Sequence, residues 1–250
     1  MPEWDSAQYL QFEEERTRPC HDLAARIPAD LVGSAIDLGC GPGNSTEVIA
    51  ARFPRASITG LDSSEEMIGQ ARRKHPEWTW VKGDICGWAA GDEQFDLVFS
   101  NAALQWVGEH ARLFPRLLTH AKVLAVQMPG NWDLPAHRMM REVARRMGFL
   151  EGVREWYTHD ENFYYDALAP HCSRVDAWVT EYQHVLPDAD AIVEWYRGSG
   201  LRPFLQALTD DASRERFVEE YREAVRKEYR PRANGRVILP FRRLFFVAVR

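Results

Sequence analysis

The sequence predicts an α/β protein. One seven-stranded, mostly parallel sheet carries helices on both faces, and a helical cap comes from the C-terminal half. Three observations lead there. Short apolar runs alternate with helical stretches through the first half of the chain, as βαβ units require. A glycine-rich turn, Gly39-Cys40-Gly41-Pro42-Gly43, joins the first of these runs to the first helix. Two long strand-like runs, 175–185 and 237–249, arrive late, with helical stretches before and between them.

The elements follow in order. Residues 35–38 read as a buried strand and 44–52 as the helix after it. A second strand covers 57–62. The next helix opens with Ser63 and Glu66 at capping-box spacing and puts Met67, Ile68 and Ala71 on one face. Further strands cover 78–81, 95–100 and 123–128. After Pro129 the helical stretches are 136–147, 190–198 and 213–228. The last sets Phe217, Tyr221, Ala224 and Glu228 along one line, with Val218 and Val225 beside it. The stretch 148–160 has no readable period. The expected organisation is an N-terminal helical segment over the site (1–30), a ligand-binding core (31–130), and a cap plus the last two strands (131–250), all in one domain.

Composition excludes several classes. A chain of 250 residues, 45% hydrophobic, can bury about 70–75% of its unfolded surface. Sixteen Gly and 14 Pro are ordinary numbers, so fibrous and disordered readings fail. The apolar stretch 244–249 is six residues, against about 20 for a membrane-spanning helix. With 37 acidic and 31 basic residues the net charge is −6, which disfavours nucleic acid as a partner. The polar N-terminus lacks the pattern of a signal peptide. The four cysteines, 20, 40, 86 and 172, form no Cys-x-x-Cys pair. Free thiols in the cytoplasm and no metal are the expectation.

The glycine turn follows Asp37 and sits at the carboxyl end of a strand, where open α/β sheets bind ligands. Its spacing is Gly39-x-Gly41-x-Gly43, and Asn44 stands where a dinucleotide fingerprint needs its third glycine. No Gly-Lys-Ser/Thr follows, so a P-loop is excluded. A ligand without a pyrophosphate fits better. Asp62 closes the second strand, where a carboxylate accepts ribose hydroxyls. Asp84 after the third strand suits an adenine amino group, with Ile85 packed on the ring. Asn101 at the end of the fourth offers a carbonyl to an ammonium group.

Together, Asp37-Leu38-Gly39-Cys40-Gly41-Pro42-Gly43, the acidic end of the second strand, Gly83-Asp84-Ile85 and Phe95-Asp96-Leu97-Val98-Phe99-Ser100-Asn101 resemble the class I S-adenosylmethionine-dependent methyltransferases. Their order and spacing match over about residues 35–130. The resemblance implies a Rossmann-like sheet and S-adenosyl-L-methionine as cofactor. It also implies roles. Asp37, Gly39, Gly41 and Asn44 would contact the methionine part. Asp62 would hold the ribose, with Ser63 and Met67 nearby. Asp84 and Ile85 would take the adenine. Asn101, Ala102 and Trp106 would close the methyl-donor end.

A closer likeness, to the members that esterify small polycarboxylic acids, rests on segments mostly outside the cofactor motifs. These are Trp4-Asp5, Gln8-Tyr9-Leu10, Phe12, residues 15–19, residues 41–46, Leu104-Gln105-Trp106, residues 124–129, Asn131, residues 200–203 and Arg243-Leu244-Phe245. Three departures stand out. Leu118-Thr119-His120-Ala121-Lys122 runs into the fifth strand without the usual glycine-containing turn, Phe241-Arg242-Arg243-Leu244-Phe245 stands where Phe-Pro-Arg-Leu-Phe is expected, with Pro240 displaced, and 145–162 is short.

Esterifying a carboxylate needs no general base, because reference carboxyl pKa values lie at about 3.3–4.3. Guanidinium groups bind carboxylates with paired hydrogen bonds. Arg16, Arg18, Arg202 and Arg243 adjoin apolar or proline-containing motifs and are the candidate substrate ligands. Trp106, Gln105 and Tyr9 are candidates for positioning. The expected partner is a small carboxylate, and the expected state a monomer or weak oligomer. Three alternatives remain at this point: methyl transfer to another small acceptor, a nicotinamide-dependent oxidoreductase, and a non-catalytic cofactor-binding module.

Overall fold

The computed structural model describes residues 13–154 and 156–250, with backbone alone for 13–16. Helix α1 (Glu13–Ala25) leads into β1 (Ser34–Leu38), α2 (Asn44–Arg52), β2 (Ser57–Asp62), α3 (Glu65–Lys74) and β3 (Thr79–Lys82). Then come α4 (Ile85–Ala89), β4 (Phe95–Asn101), α5 (His110–Thr119) and β5 (Ala121–Pro129). The remainder comprises α6 (Pro135–Arg146), α7 (Glu161–Leu168), β6 (Arg174–Leu186), α8 (Ala189–Arg197), α9 (Arg202–Ala207), α10 (Asp211–Glu228) and β7 (Val237–Val249).

The seven strands form one sheet in the order β3-β2-β1-β4-β5-β7-β6. β1, β2, β3, β4 and β5 pair in parallel, and β7 runs antiparallel to β5. The mostly parallel seven-stranded sheet expected from the sequence is therefore observed. Strand order reverses at β1, which lies between β2 and β4. Beyond the carboxyl ends of these strands lies the crevice where such sheets bind ligands. The opposite ends are stapled by Asp96. Its Oδ2 accepts from Gly33 N (2.8 Å) and Ser34 N (3.0 Å), and its Oδ1 lies 2.6 Å from Lys122 Nζ.

By contact the chain divides into two compact units. One contains Arg16–Gly130, Trp156–Thr180 and Arg243–Arg250. Strand alternation splits its sheet into two faces. Ile36, Leu38, Val98, Leu124, Val126, Leu244 and Phe246 pack with Phe114, Leu117 and Tyr164 of α5 and α7. The other face carries Asp37, Phe99, Asn101, Ala125, Gln127, Arg243 and Phe245, as the registers Asp37↔Phe99, Asn101↔Gln127 and Gln127↔Phe245 require. On this second face Trp178 stacks on Phe245 (centroids 4.7 Å apart), and the Arg26 guanidinium lies 4.1 Å above the Trp178 ring.

The other unit contains Asn131–Glu155 and Glu181–Arg242. Its core gathers Trp195, Tyr196, Phe204, Phe217, Tyr221 and Phe241. Helix α10 packs on α6 and α8. It buries Phe217, Val218, Tyr221 and Val225, the stripe its 3.6-residue period predicts.

Two local expectations change. Helix α3 is capped by Ser64, whose side chain accepts from Met67 N, and not by Ser63. The cause is Asp62: its Oδ1 accepts from Ser64 N at 2.8 Å, so residues 62–64 form a turn and the helix starts one residue later. The abrupt junction before β5 is closed by His120, the one residue between α5 and β5. Its buried ring reaches Glu93 O (2.7 Å) and Ala89 O (3.0 Å), and its backbone carbonyl accepts from Phe95 N (2.9 Å). A side chain does the fastening that a longer turn would otherwise do.

Candidate active site

The glycine turn leaves β1 with φ values of 76° at Gly39, 55° at Gly41 and 103° at Gly43, all left-handed. Gly39 N donates to Leu61 O at 2.7 Å. A Cβ on Gly39 would lie 2.2 Å from Ala103 Cβ, so this turn and the one after β4 are in direct contact. A Cβ on Gly41 would meet no described atom within 4 Å. The main chain there faces open space, as approach by a ligand requires. Asp62 fastens the turn from β2, accepting Gly41 N on Oδ2 at 2.9 Å. Each of its carboxylate oxygens keeps a second lone pair for a hydroxyl. Asp84 is exposed and caps α4 through Gly87 N (2.8 Å). Ile85 is buried beside Gly39. Met67 is buried on α3, Ser63 is exposed, and Asn44 opens α2.

Asp37 is fully buried. Ser45 Oγ (2.6 Å) and Thr46 Oγ1 (2.7 Å) both donate to its Oδ2. Its Oδ1 has no partner among the described residues. Burial raises the carboxyl from 3.8 to about 6; the two hydroxyl donors oppose this, and the charge of Asp62 adds to it. Because the folded value exceeds the unfolded one, the stability contributed by its protonation is complete below pH 3.8 and is lost as pH rises through about 6. An ammonium group against Oδ1 reverses the preference by favouring the carboxylate. Affinity for S-adenosylhomocysteine is therefore expected to rise with pH up to about 6 and to level off above, with a limiting slope of about tenfold per unit. Asp37→Asn should flatten that profile. Calorimetric titrations from pH 5 to 8 check this, and equal slopes in both proteins would contradict it.

After β4 the chain turns sharply. Ala102 has φ 56°, a strained value for a residue with a Cβ, and its N donates to Gln127 O at 2.9 Å. Asn101 Oδ1 is buried without a partner among the described residues. Gln105 is buried, and its Nε2 donates to Ala102 O at 2.7 Å. Flipping this amide would set two acceptors against each other, so Oε1 is the atom left over, and it too is buried without a described partner. Gln105 is a positioning candidate from the sequence, and its remaining atom accepts hydrogen bonds, which suits a cation or an N–H group. Trp106 is half-buried, its ring edge-on to Trp156 at 5.7 Å. His110, not singled out from the sequence, braces this turn. Its ring lies 3.0 Å from Leu104 O and 2.8 Å from Tyr164 Oη, and burial lowers its pKa below 6.5.

Among the arginines, Arg243 is 6% exposed and its Nη1 donates to Gln127 Oε1 at 3.5 Å. Arg18 is exposed on α1, and Arg202 is half-buried at the start of α9. Tyr9 and the Arg16 side chain lie outside the described residues. Along one sheet face, the order across β1, β4, β5 and β7 is thus an acid (Asp37), an acceptor (Asn101 Oδ1), a donor (Gln127 Nε2) and a cation (Arg243). Unsatisfied buried polar atoms cost about 1–3 kcal/mol each. Buried polar atoms of Asp37, Asn101, Gln105 and Gln127 without described partners near these strand ends make them candidates to hold a ligand.

Asp37, Asn101 and the open main chain at Gly41 fit a zwitterionic nucleoside ligand with a cationic head, and the fold and site together define a class I S-adenosylmethionine-dependent methyltransferase. The methyltransferase-domain family model matches residues 35–123. The trans-aconitate 2-methyltransferase of Azoarcus sp. (strain BH72) is 46% identical over 257 residues, covering 100% of both chains. That of Rhodopseudomonas palustris (strain BisB18) is 46% identical over 258 residues, again covering 100% of both. The chain belongs to the trans-aconitate 2-methyltransferase family, and its cofactor is S-adenosyl-L-methionine. This family places it apart from the nicotinamide-dependent enzymes. Solved structures share the fold. The YcgJ protein from Bacillus subtilis aligns with TM-score 0.59 at 10% identity, covering 95% of this chain and 98% of that one. Phosphoethanolamine N-methyltransferase 2 of Haemonchus contortus, in complex with S-adenosyl-L-methionine, aligns with TM-score 0.56 at 19% identity, covering 93% and 52%.

Proposed function

We propose that this enzyme methyl-esterifies one carboxylate of trans-aconitate. The observation that carries the reading is the polarity of the sheet face, acidic at Asp37 and basic at Arg243. When bound, S-adenosylmethionine supplies a methyl group activated by its sulfonium. Asp37 and Asn101 hold the ammonium of the methionine part, with Gln105 Oε1 as a further acceptor. Asp62 holds the ribose beside Ser63 and Met67, while Asp84 and Ile85 take the adenine. Gly39, Gly41 and Asn44 line the main-chain approach. Ala102 and Trp106 wall the methyl end. Arg243 binds a carboxylate of the acid; Arg16 and Arg18 are its proposed companions.

No side chain has to remove a proton, because the attacking carboxylate is ionised at neutral pH. These residues act by alignment and by excluding water. Alignment contributes up to about 7–11 kcal/mol to such reactions. Exclusion of water helps because an anion and a cation cancel charge on the way to products.

Parallel assays with trans-aconitate, isocitrate, citraconate and a malonyl thioester test the reading. Trans-aconitate is expected to give the highest kcat/KM and a monomethyl ester. Preference for another acceptor by tenfold or more, or no turnover of any acid, would overturn it.

A further inference from the structure

Strand β5 is apolar along almost its whole buried length, and Gln127 breaks that pattern. The side chain is fully buried, where a leucine or methionine would incur no desolvation penalty. Its two polar atoms meet different fates. Oε1 accepts from Arg243 Nη1 at 3.5 Å, whereas Nε2 is sealed from solvent with no partner among the described residues. Flipping the amide would set two donors face to face, so the guanidinium decides which atom is left over.

The place of that atom matters. Register pairs Gln127 with Asn101 in the parallel β4–β5 ladder, so the two side chains leave the same face of adjacent strands, about 4.8 Å apart. Asn101 presents an acceptor and Gln127 a donor, yet the two are not bonded to each other. Two different ligand groups account for them: a donor, such as the cofactor's ammonium, on Asn101 Oδ1, and an acceptor on Gln127 Nε2. Facing Arg243, the complementary group is a carboxylate, which accepts from an amide N–H and a guanidinium at once.

We infer that Gln127 is a specificity-determining residue: its Nε2 binds a carboxylate oxygen of the acid substrate while its Oε1 steadies the Arg243 guanidinium. The inference rests on the reading of the enzyme as a polycarboxylate methyltransferase. The carboxylate held here is a spectator. Donors and a cation gathered on it withdraw its charge and blunt its nucleophilicity, so the group that attacks is a second carboxylate of the same molecule. Acids with a single carboxylate lack the group Gln127 reads and are expected to be poor substrates.

The test is calorimetric titration of trans-aconitate into wild type, Gln127→Leu and Gln127→Glu, each saturated with S-adenosylhomocysteine. Gln127→Leu removes the donor, and binding should weaken about tenfold or more. Gln127→Glu places an anion beside Arg243 and against the substrate, and binding should weaken about 100-fold. Affinity for S-adenosylhomocysteine should stay within about twofold in both. In turnover the loss should appear in KM, with kcat little changed, since the spectator carboxylate does not react. If Gln127→Leu does not fold, Gln127→Glu carries the test, because its carboxylate pairs with Arg243. Trans-aconitate binding within twofold of wild type in the folded variants would overturn the inference. Wild type that binds trans-aconitate without methylating it would overturn the functional reading, while the variants still decide the role of Gln127. Wild type that does not bind the acid would overturn both.

Discussion

Alanine in place of Gly39 is expected to destabilise the protein by about 2–4 kcal/mol and to abolish measurable binding of S-adenosylhomocysteine. Two costs combine. The residue has φ 76°, where a Cβ costs about 1–2 kcal/mol. The new methyl would also start 2.2 Å from Ala103 Cβ, so one of the two turns has to move. Ala103 follows the strained Ala102 and precedes Gln105 and Trp106, so the displacement passes straight into the methyl-donor end. Gly41→Ala is the contrast. Its φ of 55° brings a similar strain, but its Cβ meets nothing within 4 Å. It should cost about 1 kcal/mol of stability and still weaken the cofactor, because the methyl projects toward the ligand. Thermal melts and calorimetry on both variants separate packing from binding. An unchanged melting temperature in Gly39→Ala would contradict the packing assigned to this turn.

The second large effect falls on the other end of the sheet face. Arg243→Met should raise KM for trans-aconitate by at least about 30-fold, since losing one partner of a buried charged contact costs about 2–5 kcal/mol. Stability should fall by about 1–3 kcal/mol, because buried Gln127 Oε1 loses its donor. The rise in KM is therefore the discriminating outcome. A guanidinium kept for structure alone would, on removal, lower the melting temperature and leave KM unmoved. Steady-state kinetics and melts on the same preparation supply both readings.

Much of this layout was legible in the residues before the fold was seen. Parallel strands here are short, mostly apolar runs between turns, so β1 to β5 were readable to within a residue or two. The turn announced itself by its glycines, and Asp37 and Asp62 by their places at strand ends. Other features depend on assembly. Helices α7 and α9 span eight and six residues, too short for a 3.6-residue period to stand out. Ser63 and Ser64 have equal claims to the cap until the Asp62 carboxylate is seen to take the Ser64 N–H. Gln127 looks like an ordinary polar residue within a strand. Its meaning comes from register, which aligns it with Asn101 and brings Arg243 from the far end of the chain beside it. His120 shows the same limit: the missing turn before β5 was visible, but not the side chain that stands in for it.

The proposed sheet face is polarised, with the cofactor's cationic head expected at Asp37 and the acid substrate at Arg243. A crossed pair of titrations tests it most directly, with S-adenosylhomocysteine, and then trans-aconitate in its presence, titrated into Asp37→Asn and Arg243→Met. Asp37→Asn is predicted to weaken the nucleoside and spare the acid once the nucleoside is saturating, and Arg243→Met to do the reverse. Equal loss of both ligands in both variants would contradict the account.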